Sequence, residues 1–140
     1  MSAPATLPDG LAPLFARAKA AMANAYAPYS RFPVGACLRC DDGGLYAGCN
    51  VENAAYPVGQ CAEASAIGAM VTAGGLRIVE AVVIGQGEAL CTPCGGCRQR
   101  LAEFADWTMP IHICGPEGLR RTFTLRDLLP HGFGPHNLDD

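Results

Sequence analysis

Cys94-Gly95-Gly96-Cys97 stands directly behind Pro93, where a helix is expected to open. Residues three apart on a helix share one face, so both sulfurs can point at one metal ion, and the positive end of the helix favours their thiolate forms. Taken alone, the pattern also fits a redox pair or two small buried cysteines. Cys61-Ala62-Glu63 marks a second expected helix start, where an acidic residue in the first turn is favoured by the helix dipole alone. The two groups gain meaning together. Three thiolates from two helix N-termini leave one position of a tetrahedral zinc site open, the arrangement of catalytic rather than structural sites. A carboxylate two residues past a ligand then lies beside the open position, where it can take a proton from activated water.

Those helix starts belong to a regular succession of elements. Asp9 is expected to cap a helix with Leu11, Leu14, Phe15, Ala18, Met22 and Ala25 at helical spacing, ending near Tyr26 before Pro28. Two strands follow, Val34 to Arg39 and Leu45 to Val51, turned at Asp41-Asp42-Gly43-Gly44 and predicted to be antiparallel. Glu52 to Gln60 is read as a loop, and Cys61 to Ala73 as a helix closed by Gly74-Gly75. Ile78 to Ile84 is predicted as a buried strand, Pro93 to Phe104 as a helix, Ile111 to Cys114 as a strand, and Thr124 to Leu129 as a short last helix stopped by Pro130. Strands alternating with helices imply an α/β sheet with helices on its faces, made mixed by the leading hairpin.

The spacing of Cys61-Ala62-Glu63 and Pro93-Cys94-Gly95-Gly96-Cys97 resembles the cytidine deaminase family, whose zinc signature is a ligand, an intervening residue and Glu, followed by P-C-x-x-C. The three-cysteine form resembles the small homotetrameric members, whereas dimeric members and nucleic-acid editors carry His at the first position. The resemblance runs through Ala25-Tyr26-Ala27-Pro28-Tyr29-Ser30-Arg31-Phe32-Pro33-Val34-Gly35-Ala36 and Gly48-Cys49-Asn50-Val51-Glu52-Asn53-Ala54-Ala55-Tyr56. It continues in Cys97-Arg98-Gln99, Leu101-Ala102-Glu103-Phe104 and Leu128-Leu129-Pro130 with Phe133.

The resemblance implies a single domain over 1–140 with a cytidine deaminase-like three-layer α/β sandwich, its mixed sheet flanked by helices. It implies hydrolytic deamination of cytidine and deoxycytidine at C4 in pyrimidine salvage, with one Zn2+ per chain held by Cys61, Cys94 and Cys97. Glu63 would move the proton of the attacking water to ring N3 and then help protonate the departing ammonia. Asn50 and Glu52 would hold the ribose hydroxyl, Phe32 and Ala62 would meet the substrate, and Phe133 would line a neighbouring subunit's base pocket. Tyr56 matches a tyrosine near an intersubunit site. One departure concerns charge, because many three-cysteine members have Arg directly after the catalytic Glu and this chain has Ala64. Zinc at +2 with three thiolates at −1 each leaves −1, so another group should compensate, and Arg98 is the nearest candidate in sequence.

Composition excludes several other classes. The 140 residues, 50% hydrophobic and 16% charged, suffice for a core without disulfides and do not describe a disordered tail or a coiled coil. A net charge of −3 offers no broad cationic field, so a duplex nucleic-acid partner is not expected, while the small-molecule nucleoside partner is what the resemblance implies. No apolar run reaches the ~20 residues of a membrane helix, and Met1 to Gly10 lacks the features of a signal peptide, which leads to a cytoplasmic expectation. A thioredoxin-like pair at Cys94 and Cys97 leaves Cys61 and Glu63 unexplained. A closed four-cysteine zinc site using Cys37 and Cys40 conflicts with their place on a strand, where residues three apart face opposite sides. Accordingly Cys94→Ala should lose the metal and Cys37→Ala should retain it, as measured by metal analysis of the purified variants. Metal loss from the Cys37 variant with retention in a Cys61 variant would mark the four-cysteine site instead.

Overall fold

The computed structural model describes residues 7–139; Met1 to Thr6, the larger part of the Met1 to Gly10 stretch, and Asp140 lie outside the described residues. A single 3-10 turn at Asp9–Leu11 leads into α1 (Ala12–Ala23), and Pro13 falls in its first turn, where a missing N–H breaks no helical bond. Asp9 lies inside the 3-10 turn and supplies no side-chain cap. Helix α1 ends three residues before the expected boundary. Tyr26 leaves it because its N–H donates to Asn50 O and its backbone pairs with Val51.

Strands β1 (Val34–Cys40) and β2 (Leu45–Cys49) form the expected antiparallel hairpin, and Gly43 takes φ 90° at its turn. Then come α2 (Ala62–Thr72), β3 (Ile78–Gly85), α3 (Gly95–Glu103), β4 (Pro110–Gly115), β5 (Gly118–Thr124) and α4 (Leu125–Leu128). The sheet order is β2-β1-β3-β4-β5, with β3 and β4 parallel and every other neighbouring pair antiparallel. Strand β5 is not among the elements that the sequence pattern predicts. It is an edge strand with Arg120 and Arg121 at its middle, so it lacks the apolar alternation of a strand with one buried face.

Alternation along the strands builds two cores. Cys37, Val82, Ile84 and Cys114 face Leu11, Leu14, Ala18 and Met22 on one side of the sheet. Ala36, Leu38, Cys40, Ala81, Val83, Ile111 and Ile113 face α2, α3 and α4 on the other. The result is three layers, and it places Cys37 and Cys40 on opposite faces, as strand geometry requires. Thr124 and Asp127 cap α4 reciprocally, Asp127 N donating to Thr124 Oγ1 at 3.2 Å and Thr124 N to Asp127 Oδ2 at 2.9 Å. No helix among the described residues is long and apolar enough to cross a membrane.

One close approach seats α2 on the sheet. A Cβ at Gly48 on β2 would lie 2.4 Å from Ala66 N and 2.7 Å from Ala62 O, so only glycine lets the first turn of α2 settle there. Gly48→Ala should therefore cost about 1–3 kcal/mol, the range for forcing extra atoms into a packed interior. Urea unfolding followed by circular dichroism measures it, and an unchanged midpoint would show that α2 moves aside freely.

Candidate functional site

Both metal-candidate groups sit where helices begin. Cys61 is the N-cap of α2 and Cys94 the N-cap of α3, each with extended backbone, while Cys97 is the third residue of α3. The three sulfurs lie within 4.8 Å of one another, with Cys61 Sγ and Cys94 Sγ 3.7 Å apart. Tetrahedral zinc with bonds of about 2.3 Å to sulfur separates its ligand sulfurs by about 3.8 Å, so the spacing fits that ion.

Burial pushes the Cys61 thiol up, and the neighbouring Cys94 adds to this. It raises Cys97 further, with the charges of Glu63 and the other two cysteines adding to it. Burial also acts to raise Cys94, but the Cys97 backbone N–H and the adjacent thiols outweigh it and hold Cys94 below the ordinary thiol value. Three thiols that crowd one another in this way gain most from a shared cation.

Glu63, in the first turn of α2, is only 4% exposed. Burial raises its proton affinity, partly offset by its own backbone N–H and by the charge of Arg100. It opens onto a cavity of about 270 Å³ whose lining also includes Phe32, Asn50, Glu52, Cys61, Ala62 and Cys94. The structure thus gathers six of the expected site residues around Glu63. Ser30, Val34, Cys91 and Thr92 line the cavity too and were not singled out from sequence. Cys91 carries no motif signal beyond its place three residues before Cys94, and burial raises its thiol to about 11.

The chain around Asn50 and Glu52 is held by backbone pairing. Strand β2 stops at Cys49, not at Val51, but Val51 and Gln60 exchange N–H···O bonds of 2.9 and 2.8 Å, bringing Asn50 and Glu52 beside Cys61. Asn50 clamps the segment next to it, accepting from Val34 N and donating to Phe32 O, both at 2.9 Å. Glu52 Oε1 accepts from Tyr29 N and Ser30 N at 3.0 Å each, and the Ser30 bonds hold its carboxyl below the usual range. Both backbone bonds fall on one oxygen.

Two expected residues stand elsewhere. Tyr56 is 77% exposed and lines a separate cavity with Tyr29 and Glu52, while Phe133 is 56% exposed in a groove with Gln99 and Leu138. Neither lines the cavity at Glu63.

The expectation for Arg98 is corrected. Its guanidinium donates to Pro93 O and Leu128 O, both at 2.7 Å, and to Thr92 Oγ1 at 3.1 Å, so it ties α3 to the end of α4 and to the segment before α3 rather than serving as a partner of sulfur. It is Arg100, one helical turn past Cys97, that donates to Cys97 Sγ at 3.6 Å. The spacing of three residues on a helix was the sequence signal for it. Arg98→Ala should lower stability by about 1.5–3 kcal/mol, the range for bonds to a charged group, without changing metal affinity. Urea titration and chelator competition on one preparation check both parts.

Comparison with known proteins agrees with this geometry. Residues 11–113 match the family model described as the cytidine and deoxycytidylate deaminase zinc-binding region. A cytidine deaminase of Sporosarcina psychrophila is 41% identical over 125 residues, which cover 89% of this chain and 92% of that protein. The crystal structure of cytidine deaminase from Burkholderia pseudomallei superposes with a TM-score of 0.82 at 40% identity, covering 87% of this chain and 98% of the other. That of Mycobacterium tuberculosis gives 0.77 at 38% identity, covering 91% and 99%. A shared architecture at this identity, with three sulfurs and a buried glutamate converging at two helix starts, places the chain in the cytidine and deoxycytidylate deaminase family.

Proposed function

We propose that this protein hydrolyses cytidine and deoxycytidine to uridine and deoxyuridine with release of ammonia, using one Zn2+ per chain. The observation that carries the reading is a buried glutamate sharing one cavity with clustered cysteine sulfurs and with polar groups suited to a sugar. Cys61, Cys94 and Cys97 hold the metal, which when bound acts as a Lewis acid that brings the pKa of water toward neutrality.

Glu63 does the proton work. Its burial makes the carboxyl a better proton acceptor than an exposed glutamate, so it can take the proton of the attacking water, place it on ring N3 and assist the departing amine at C4. Ala62 and Phe32 line the cavity beside it and bound the space for a flat ring. Asn50 aligns Phe32 and Val34 through its two backbone bonds, and its second amide N–H would serve the substrate. Glu52 stays ionised and offers Oε2 to a ribose hydroxyl while Oε1 keeps the 29–30 backbone in place.

Exposure of Phe133 and Tyr56 supports a homotetramer in which Phe133 reaches a neighbour's base pocket and Tyr56 lies near a shared site. A single domain over 1–140 acting in the cytoplasm in pyrimidine salvage completes the proposal.

Ammonia release from cytidine, deoxycytidine and cytosine tests it. Both nucleosides should be turned over and cytosine hardly at all, because a site built to bond a hydroxyl rejects an analogue lacking it by up to about 10⁴–10⁵-fold. Glu63→Gln should keep zinc and lose about 10²–10⁴ in turnover. Glu52→Ala should lower kcat/KM for cytidine and leave the slow reaction of cytosine little changed. Equal kcat/KM for cytosine and cytidine in the parent would assign the site to a free-base deaminase.

A further inference from the structure

We propose that Arg100 is the positioning residue that offsets the excess negative charge of the three-cysteine site, an inference that rests on the proposed zinc chemistry. Loading a divalent cation onto three thiols releases three protons and leaves the site at −1, in a partly buried place where uncompensated charge is costly. Ala64 carries no charge, and Arg98 spends its guanidinium on Pro93, Leu128 and Thr92. Among the described residues Arg100 is the only cation that hydrogen-bonds one of the three sulfurs, through Nη1 to Cys97 Sγ at 3.6 Å.

The local geometry is built for that contact. Side chains on a helix lean toward its N-terminus, so Arg100 lies back over the preceding turn, where Cys97 is three residues away and Gly96 four. A Cβ at Gly96 would stand 3.1 Å from Arg100 Nη1, closer than ordinary packing, so the glycine between the two ligands leaves the lane in which the guanidinium rests. The same positive charge acts on Glu63, lowering its proton affinity against the effect of burial. Arg100 is exposed on its outer side, so its effect is screened and modest, but its bond to sulfur is direct and charge-assisted. By drawing electron density on Cys97 Sγ toward itself, it leaves less for the metal and keeps the site a stronger Lewis acid.

The test compares parent, Arg100→Gln and Arg100→Lys. Zinc affinity is measured by chelator competition, the sulfur-to-metal band by absorption of the Co2+-loaded protein, and the metal-free melting midpoint by calorimetry. Arg100→Gln should weaken zinc binding about 10-fold, the lower end for loss of a group that supports a metal ligand. Its sulfur-to-cobalt band should move to longer wavelength, because sulfur electrons no longer held by a cation are promoted more easily. In the zinc enzyme kcat should fall more than KM rises, and Arg100→Lys should restore most of all three. Unchanged zinc affinity and an unchanged band in Arg100→Gln would overturn the role, as would a fall in the metal-free midpoint as the sole effect. A parent that binds no zinc overturns the zinc chemistry itself, whereas a zinc-loaded parent with indistinguishable variants overturns only Arg100.

Discussion

Three cysteine sulfurs within 4.8 Å of one another resist ionising together, and the site is arranged around that resistance. Two helix N-termini converge on it, so the positive ends of α2 and α3 face the sulfurs. Cys61 makes no side-chain cap bond to α2, which leaves its sulfur for other work. Burial raises Cys61 and Cys97, and only Cys94, the most exposed of the three, is held below the ordinary value. A divalent cation relieves this frustration where no rearrangement of thiols could.

Convergence of two helices demands a rigid base, and the sheet provides it. The first turn of α2, which carries Glu63, rests on β2 at Gly48, while α3 follows β3 and packs against α2. Around this base the polar groups are already committed before any ligand arrives. Asn50 fixes the backbone on either side of Pro33, and Glu52 fixes the 29–30 backbone with a single oxygen. Arg31, at φ 58°, turns the chain between them in the left-handed region that non-glycine residues rarely occupy, at a cost of order 1–3 kcal/mol that is typical of segments held for function.

The end of α4 and the chain after it are tied to the same helix that supplies two of the sulfurs. Arg98 holds Leu128 O, and Gln99 Nε2 donates to Phe133 O at 2.8 Å. Residues 98, 99 and 100 therefore divide two tasks along one turn: Arg98 and Gln99 anchor the end of α4 and the segment after it, and Arg100 turns back to Cys97. Phe133 is presented outward on this anchored segment rather than folded over its own chain's cavity.

The starts of α2, α3 and α4, the helical faces and the turn at Asp41–Gly44 were legible in the sequence because they rest on spacing and on residue types with one conformational use. So were the cysteine trio and Glu63, since a pair three apart at one helix start and a Cys-x-Glu at another need only be brought together. The antiparallel hairpin and the opposite faces of Cys37 and Cys40 followed from turn chemistry and period-two alternation. Strand β5 escaped because an edge strand is stabilised by pairing with β4, not by an apolar face of its own. Two further points depended on the tertiary structure. A guanidinium has no preferred partner until the chain around it is folded, and proximity in sequence favoured Arg98 over Arg100 although helix geometry favours a residue one turn away. Likewise, nothing local to Cys91 or Val34 reveals that folding puts them on the wall of the cavity that holds Glu63, because that wall is assembled from segments far apart along the chain.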